Sequence, residues 1–108
     1  MLNNNSLGMI RQFQDSYFSS RYQSTKNGYS APDFAKVANA YGITSRTIDN
    51  CSEMSEAVEW LWCNDNKDKP LLLQIMIDSF TNTYPKIAFG RPITDMEPLS
   101  TPLGMEST

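Results

Sequence analysis

Histidine is absent from this chain of 108 residues, and cysteine occurs only twice. Histidine is the commonest general base and a common zinc ligand, so its absence argues against a self-contained hydrolase triad or zinc site. The sequence also lacks an apolar run of transmembrane length, a secretory signal and a cluster of lysine and arginine. Because the net charge is −3, we expect no nucleic-acid partner. Because the sequence shows no such apolar run and no secretory signal, we expect no membrane partner and a cytoplasmic location. Cys51 and Cys63 are therefore expected to be reduced, buried thiols.

Apolar residues at helical spacing predict three helices in what is at most one small domain. The first covers residues 6 to about 19, with one buried stripe made of Leu7, Ile10, Phe13, Tyr17 and Phe18. The second starts in the segment 30–33, with Ser30 as its cap, and ends before Gly42. The third begins near Asn50 or Ser52. Its buried side is predicted to hold Met54, Ala57, Val58, Leu61 and Trp62.

Two apolar segments predict strands. Residues 43–48 form a short one, and residues 70–77 form a nearly continuous apolar run of the kind found in parallel strands covered on both faces. Because helices alternate with these strands, the sequence predicts parallel βαβ units. Trp60 and Trp62 lie two positions apart on the third helix, so they cannot both face the core, and one is expected at an interface.

The amino-terminal stretch carries the most informative pattern. Its sequence is Leu2-Asn3-Asn4-Asn5-Ser6-Leu7-Gly8-Met9-Ile10-Arg11-Gln12-Phe13-Gln14. A strand end, short polar residues and a helix start mark the place where α/β folds bind anions, because backbone N–H groups and the positive helix end point at the ligand. Asparagine and serine are also strong helix caps, so a simple N-cap is the competing interpretation of these residues.

This string resembles the closing half of the thiamine diphosphate motif, which opens with Gly-Asp-Gly and closes with an Asn-Asn pair. In the large catalytic subunits of acetolactate synthases the stretch is Leu-Asn-Asn-x-x-x-Gly-Met-Val-x-Gln-Trp. The Gly-Asp-Gly half does not occur in this sequence. The resemblance continues through the Pro-Asp-Phe helix, the Ala-Tyr-Gly-Ile turn and the Pro-Leu-Leu-Leu-Gln-Ile strand, and on to the segment 85–99.

The resemblance implies a site for thiamine diphosphate and Mg²⁺. Asn4 would give the metal a side-chain oxygen and Ser6 a backbone carbonyl, and oxygen is the ligand atom that Mg²⁺ prefers. Gly8 would let the backbone approach the cofactor, and Met9 would pack near the thiazolium ring. Phe13 occupies the position of a tryptophan that lines the substrate channel in acetolactate synthases. A helix-start glycine, a core methionine and a core phenylalanine are the structural alternatives for these last three, and no catalytic residue is assigned.

The predicted fold class is α/β, a three-layer αβα arrangement with a parallel sheet that forms part of a thiamine diphosphate-binding domain. Residues 1–80 are assigned to the C-terminal portion of that domain and residues 81–108 to an irregular tail. The resemblance implies a fragment of an acetolactate-synthase-like enzyme, a homo-oligomer that decarboxylates a 2-keto acid and joins the product to an acceptor. The alternatives are another thiamine diphosphate-dependent decarboxylase or lyase, or a non-catalytic split or assembly module. The chain alone is expected to be inactive.

Overall fold

The computed structural model describes residues 1–100 and divides into two compact units. The first unit joins Met1–Asn5 to Ser30–Asp78, and the second joins Ser6–Tyr29 to the chain from Ser79 onward. The division into residues 1–80 and 81–108 stays a prediction, and the last eight residues of that tail lie outside the described residues.

The first unit is built on a three-stranded parallel sheet. Its strands are β1 (Leu2–Asn3), β2 (Thr44–Ile48) and β3 (Leu71–Met76), in the order β1-β3-β2. Both pairings are parallel, with Asn3 opposite Met76 and Ile48 opposite Ile75. This confirms the predicted α/β fold with a parallel sheet, and it places the apolar run at the centre of the sheet.

The helices of this unit are α2 (Phe34–Ala40) and α3 (Met54–Trp62). The N-cap of α2 is Asp33, not the predicted Ser30, and its carboxylate accepts hydrogen bonds from the Ala35 and Lys36 N–H groups. At the other end Gly42 adopts φ +77°, and the Ile43 N–H donates to the Ala38 carbonyl, so the predicted glycine stop is confirmed as a Schellman motif.

The hydrophobic core lies between the sheet and α3. Ile48, Ala57 and Leu73 are buried, and Met54, Trp60, Leu61 and Ile75 pack against them. Trp60 is therefore the tryptophan that faces the core, and Trp62 is 83% exposed. The prediction that Val58 and Trp62 lie on the buried side was wrong, because the helix starts at Met54 in a register that turns Ala57, Trp60 and Leu61 toward the sheet.

The second unit contains helix α1 (Gly8–Tyr17) and a two-stranded antiparallel ladder of β4 (Lys86–Ile87) with β5 (Met96–Glu97). The predicted buried stripe of α1 was wrong in part: Leu7, Ile10 and Phe18 are exposed, whereas Arg11 and Gln12 are buried. The reason is hydrogen bonding. The Gln12 amide donates to the Thr83 carbonyl at 3.4 Å and accepts from the Thr83 N–H at 2.9 Å, so its polar atoms are satisfied without water.

Both cysteines are free and exposed, so the expectation that Cys51 and Cys63 are buried was wrong. Among the residues that the structure describes, no helix is long and apolar enough to cross a membrane.

Candidate functional site

A tight turn follows β1 and carries the asparagine string. Asn3 is buried, and its Oδ1 atom accepts a hydrogen bond from the Asn5 N–H at 3.0 Å. Asn5 has φ 48°, a left-handed conformation that asparagine tolerates better than most residues. Asn4 is half-buried between these two residues. The turn therefore holds the backbone on both sides of Asn4.

The competing interpretation of the string as a helix cap does not hold for α1. The N-cap position of that helix is Leu7, and no side chain makes a capping hydrogen bond there. The Asn3 side chain bonds within its own turn, and the Ser6 hydroxyl donates to the Thr25 carbonyl at 2.9 Å. These two hydrogen bonds stabilise the turn and its link to Thr25, not the start of α1.

The Gln74 side chain lies next to the turn and is only 2% exposed, although β3 is otherwise apolar. Its Oε1 atom accepts from Asn3 Nδ2 at 3.1 Å and from the Phe34 N–H at 3.2 Å. Its Nε2 group donates to Asp33 Oδ1 at 3.2 Å and to Thr47 Oγ1 at 3.1 Å. One amide thus connects β1, β2, β3 and the start of α2, and all four of its hydrogen-bonding positions are used.

Asp33 brings a negative charge to the same place. The Lys36 N–H holds the pKa of the Asp33 carboxyl below its ordinary value of 3.8, and the Gln74 amide and the Ala35 N–H act in the same direction. Burial opposes this shift only in part. Asp33 is therefore ionised at neutral pH and accepts hydrogen bonds from all three groups.

A polar cleft of about 300 Å³ opens among these residues. It is lined by Asn3, Asn5, Ala31, Pro32, Asp33, Thr47, Gln74 and Met76. Asn3 and Met76 are the last residues of their strands, so the cleft lies at the carboxyl edge of the parallel sheet. Open α/β sheets bind their ligands at this edge, and a cleft of this size suits a small polar group such as a phosphate or a hydrated cation.

A larger cavity of about 550 Å³ lies at the other end of β3, near Leu71. Its lining includes the exposed Trp62 together with Lys67 and Lys69. It lies at the amino edge of the sheet and contains none of the residues of the asparagine string. We therefore place the candidate site at the smaller cleft, where strand direction and the sequence pattern agree.

The five sequence-predicted site residues divide between the two units. Asn4 belongs to the first, on the turn beside the cleft, and Ser6, Gly8, Met9 and Phe13 belong to the second. There, Gly8 is the first residue of α1 and Met9 is exposed. The Phe13 ring lies 4.4 Å from the Tyr17 ring and 6.0 Å from the Phe89 ring, between ring centroids, so Phe13 takes part in an aromatic cluster.

Sequence reasoning missed three polar residues of the site: Asp33, Thr47 and Gln74. The signal for Gln74 was present, since a glutamine that interrupts the apolar run of a buried strand needs hydrogen-bond partners. Within residues 1–100, no group of three or more histidine, cysteine, aspartate or glutamate side chains is placed to hold a metal ion. A metal at this edge would therefore find few charged ligands in the described part of the chain, and its other ligands would have to come from elsewhere.

Comparison with known proteins identifies the family of the chain. Residues 1–75 match the model of the thiamine pyrophosphate enzyme family, specifically the C-terminal TPP binding domain. The chain belongs to this family.

Individual relatives point to one branch of it. The chain is 32% identical over 102 residues to the acetolactate synthase large subunit of Pyropia yezoensis, a match that covers 94% of this chain and 17% of the relative. It is 33% identical over 96 residues to the isozyme 2 large subunit of acetolactate synthase from Escherichia coli K12, covering 89% and 17%. The large subunit from Lactococcus lactis is 30% identical over 90 residues, covering 83% and 15%. The chain thus spans about a sixth of the length of these relatives.

Proposed function

We propose that this chain contributes the Asn-Asn half of a thiamine diphosphate and Mg²⁺ site in an acetolactate-synthase-like enzyme. The observation that carries the proposal is the turn of Asn3, Asn4 and Asn5, which follows a parallel strand at the carboxyl edge of the sheet beside a polar cleft. The family match supports the proposal, and no side chain makes a capping hydrogen bond at the start of α1.

The donor atoms suit a hard cation. Asn4 offers an amide oxygen and Ser6 a backbone carbonyl, and Mg²⁺ takes oxygen ligands while keeping several waters or phosphate oxygens. Gly8 and Met9 are proposed to meet the cofactor itself, and Phe13 to line the substrate channel. The roles of these last three and of Ser6 rest on the sequence string. The set is incomplete on this chain, so we expect weak cofactor binding and no activity from the chain alone.

When bound, thiamine diphosphate supplies the carbanion chemistry of 2-keto acid decarboxylation and carboligation, and protein groups supply binding and orientation. The part of this chain is to hold Asn4 at the strand end and to present uncharged oxygens to the metal. Asp33 adds a negative charge at the cleft, which favours a cation over a free phosphate at that point.

The proposal extends to the whole protein in three respects: a 2-keto acid substrate, a cytoplasmic location and assembly as a homo-oligomer. The relatives favour acetolactate synthase chemistry over a sibling decarboxylase or a non-catalytic module.

Successive residues of β3 face opposite sides of the sheet. Leu73 and Ile75 pack with α3, whereas Gln74 bonds to the start of α2, and this alternation suggests the three-layer αβα arrangement.

The proposal is tested by NMR titration of the isolated chain with Mg²⁺ and thiamine diphosphate. We expect amide shifts confined to residues 3–6 and their neighbours, with a roughly millimolar dissociation constant, and their loss in Asn4→Ala. Asn50→Ala is the matched control, since Asn50 caps a short 3₁₀ turn at Cys51–Glu53 and lies outside the cleft. An equal response in Asn4→Ala and the unchanged chain would remove Asn4 from the metal site.

A further inference from the structure

The side-chain amide of Gln74 can have only one orientation. Its Oε1 faces the Phe34 N–H, which can only donate, and its Nε2 faces the Asp33 carboxylate, which is ionised and can only accept. A flipped amide would put an N–H group against an N–H group and an oxygen against an oxygen. The first turn of α2 therefore decides which end of the Gln74 amide points toward β1.

The orientation of the Gln74 amide determines the orientation of the Asn3 amide. Because Oε1 of Gln74 is the atom that faces β1, the Asn3 side chain must turn its Nδ2 group toward it, at 3.1 Å. The Oδ1 atom of Asn3 is then left to accept the Asn5 N–H at 3.0 Å. Asn4 lies between the two ends of this hydrogen bond.

We propose that Gln74 is a positioning residue for the cofactor site. It fixes the orientation of the Asn3 amide and, through it, the turn that presents Asn4. The inference rests on the proposed function for its purpose, whereas the ordering of the turn stands on the hydrogen bonds alone.

Packing by itself does not require an amide at this place. β3 is the central strand, and an apolar side chain of similar length would fill the same volume. Such a side chain would leave Asn3 Nδ2, the Phe34 N–H and Thr47 Oγ1 without the partner that they now share. A glutamine here serves to align these groups with one another.

The experiment compares three variants of the full chain: Gln74→Met, Gln74→Glu and Ser45→Ala. Methionine keeps the length of the side chain and removes every hydrogen bond. Glutamate at neutral pH keeps the acceptor and puts an oxygen against Asp33. Ser45→Ala is the control, since the Ser45 hydroxyl also links β2 to α2, through the Ala35 carbonyl at 2.8 Å, without touching Gln74.

The readout is exchange of the Asn5 amide proton with water, corrected for the intrinsic effect of pH. We expect Gln74→Met to speed this exchange roughly fivefold or more, and Ser45→Ala to change it by less than about twofold. In Gln74→Glu, lowering the pH protonates a buried carboxyl that faces Asp33, restores a donor toward Asp33 and should slow the exchange again. The Lys36 Nζ atom also faces this pair, 4.0 Å from Asp33 Oδ2.

A folded Gln74→Met variant with Asn5 exchange within about twofold of the original would overturn the inference. If that variant does not fold, Gln74→Glu decides, and corrected exchange that is the same at neutral and acid pH would overturn it too. The Mg²⁺ titration is run on the same samples. Faster Asn5 exchange together with no Mg²⁺ response in the unchanged chain would support the positioning of the turn and reject the proposed function.

Discussion

Arg11 provides the sharpest test of how the second unit is stabilised. Its side chain is 0% exposed, although α1 belongs to a small unit. Nη1 lies 2.6 Å from Asp15 Oδ2, and Nη2 donates to Asn82 Oδ1 at 2.5 Å and to the Phe80 carbonyl at 3.2 Å. The guanidinium thus ties the segment after Asp78 to the helix through charge-assisted hydrogen bonds.

Replacing Arg11 with methionine keeps much of the apolar volume and removes the charge. Removal of one partner of a buried ion pair costs about 3–5 kcal/mol. The lower end applies here, because the Asp15 side chain is partly exposed and keeps hydrogen bonds from Ser20 and Tyr22. A loss of about 3 kcal/mol should lower the melting temperature by roughly 10–20 °C in a protein of this size.

Arg46→Met is the matched control. Arg46 makes an ion pair with Glu56 at the same kind of distance, 2.8 Å, but the two side chains are 29% and 73% exposed. Exposed pairs contribute about 0–1 kcal/mol, so this variant should unfold almost like the original chain. The loss of stability in Arg11→Lys should lie between those of the two methionine variants. Lysine keeps the charge but lacks the planar guanidinium, which can donate to several acceptors at once.

The assay is urea unfolding followed by NMR signals of α1, with tryptophan fluorescence reporting on the first unit, which contains both tryptophans. We expect the loss in free energy of unfolding to be at least about threefold larger in Arg11→Met than in Arg46→Met. Equal losses in the free energy of unfolding of the two variants would refute the claim that burial strengthens the contribution of the Arg11 contacts.

The remaining predictions concern Asp33 and the two tryptophans. The pKa of Asp33 in the folded chain lies below 3.8, so the stability that its ionised form contributes is complete above that value and is lost as the pH falls through the folded pKa. In urea titrations, Asp33→Asn should therefore make the free energy of unfolding depend less on pH below about pH 4. Trp60→Ala should cost about 2 kcal/mol, whereas Trp62→Ala should cost less than about 0.5 kcal/mol. If the exposed Trp62 mediates the proposed homo-oligomer, light scattering should show Trp62→Ala as a smaller species at high concentration; unchanged mass would exclude Trp62 from that contact.

The parts of the fold that sequence could predict are those where pattern and packing agree. The apolar run 70–77 became the central strand Leu71–Met76, because a strand covered on both faces needs apolar residues at nearly every position. Gly42 ended α2 as predicted, since its positive φ is open to glycine at little cost. In both cases one physical requirement dominated the choice of residue.

Helix α1 shows where pattern alone fails. Its apolar residues have helical spacing, yet Ile10 is exposed and Arg11 is buried. The spacing of residues on one helix does not reveal which partner the helix meets. Here the partner is the segment around Phe80 and Thr83, which presents backbone carbonyls and N–H groups, so polar side chains are buried in place of apolar ones.

The same limit applies to the candidate site. The asparagine string predicted polar residues directly after a strand end, and the turn of Asn3, Asn4 and Asn5 follows β1 in the structure, because that position depends on local chain order. Gln74, whose amide bonds to Asn3 in the turn, is 71 residues away in sequence and meets it through the register of β1 and β3. A one-residue slip of β3 relative to β1 and β2 would turn Gln74 to the α3 face and leave its amide buried among apolar side chains. The hydrogen bonds of Gln74 therefore tie the correct pairing of the strands to the geometry of the asparagine turn.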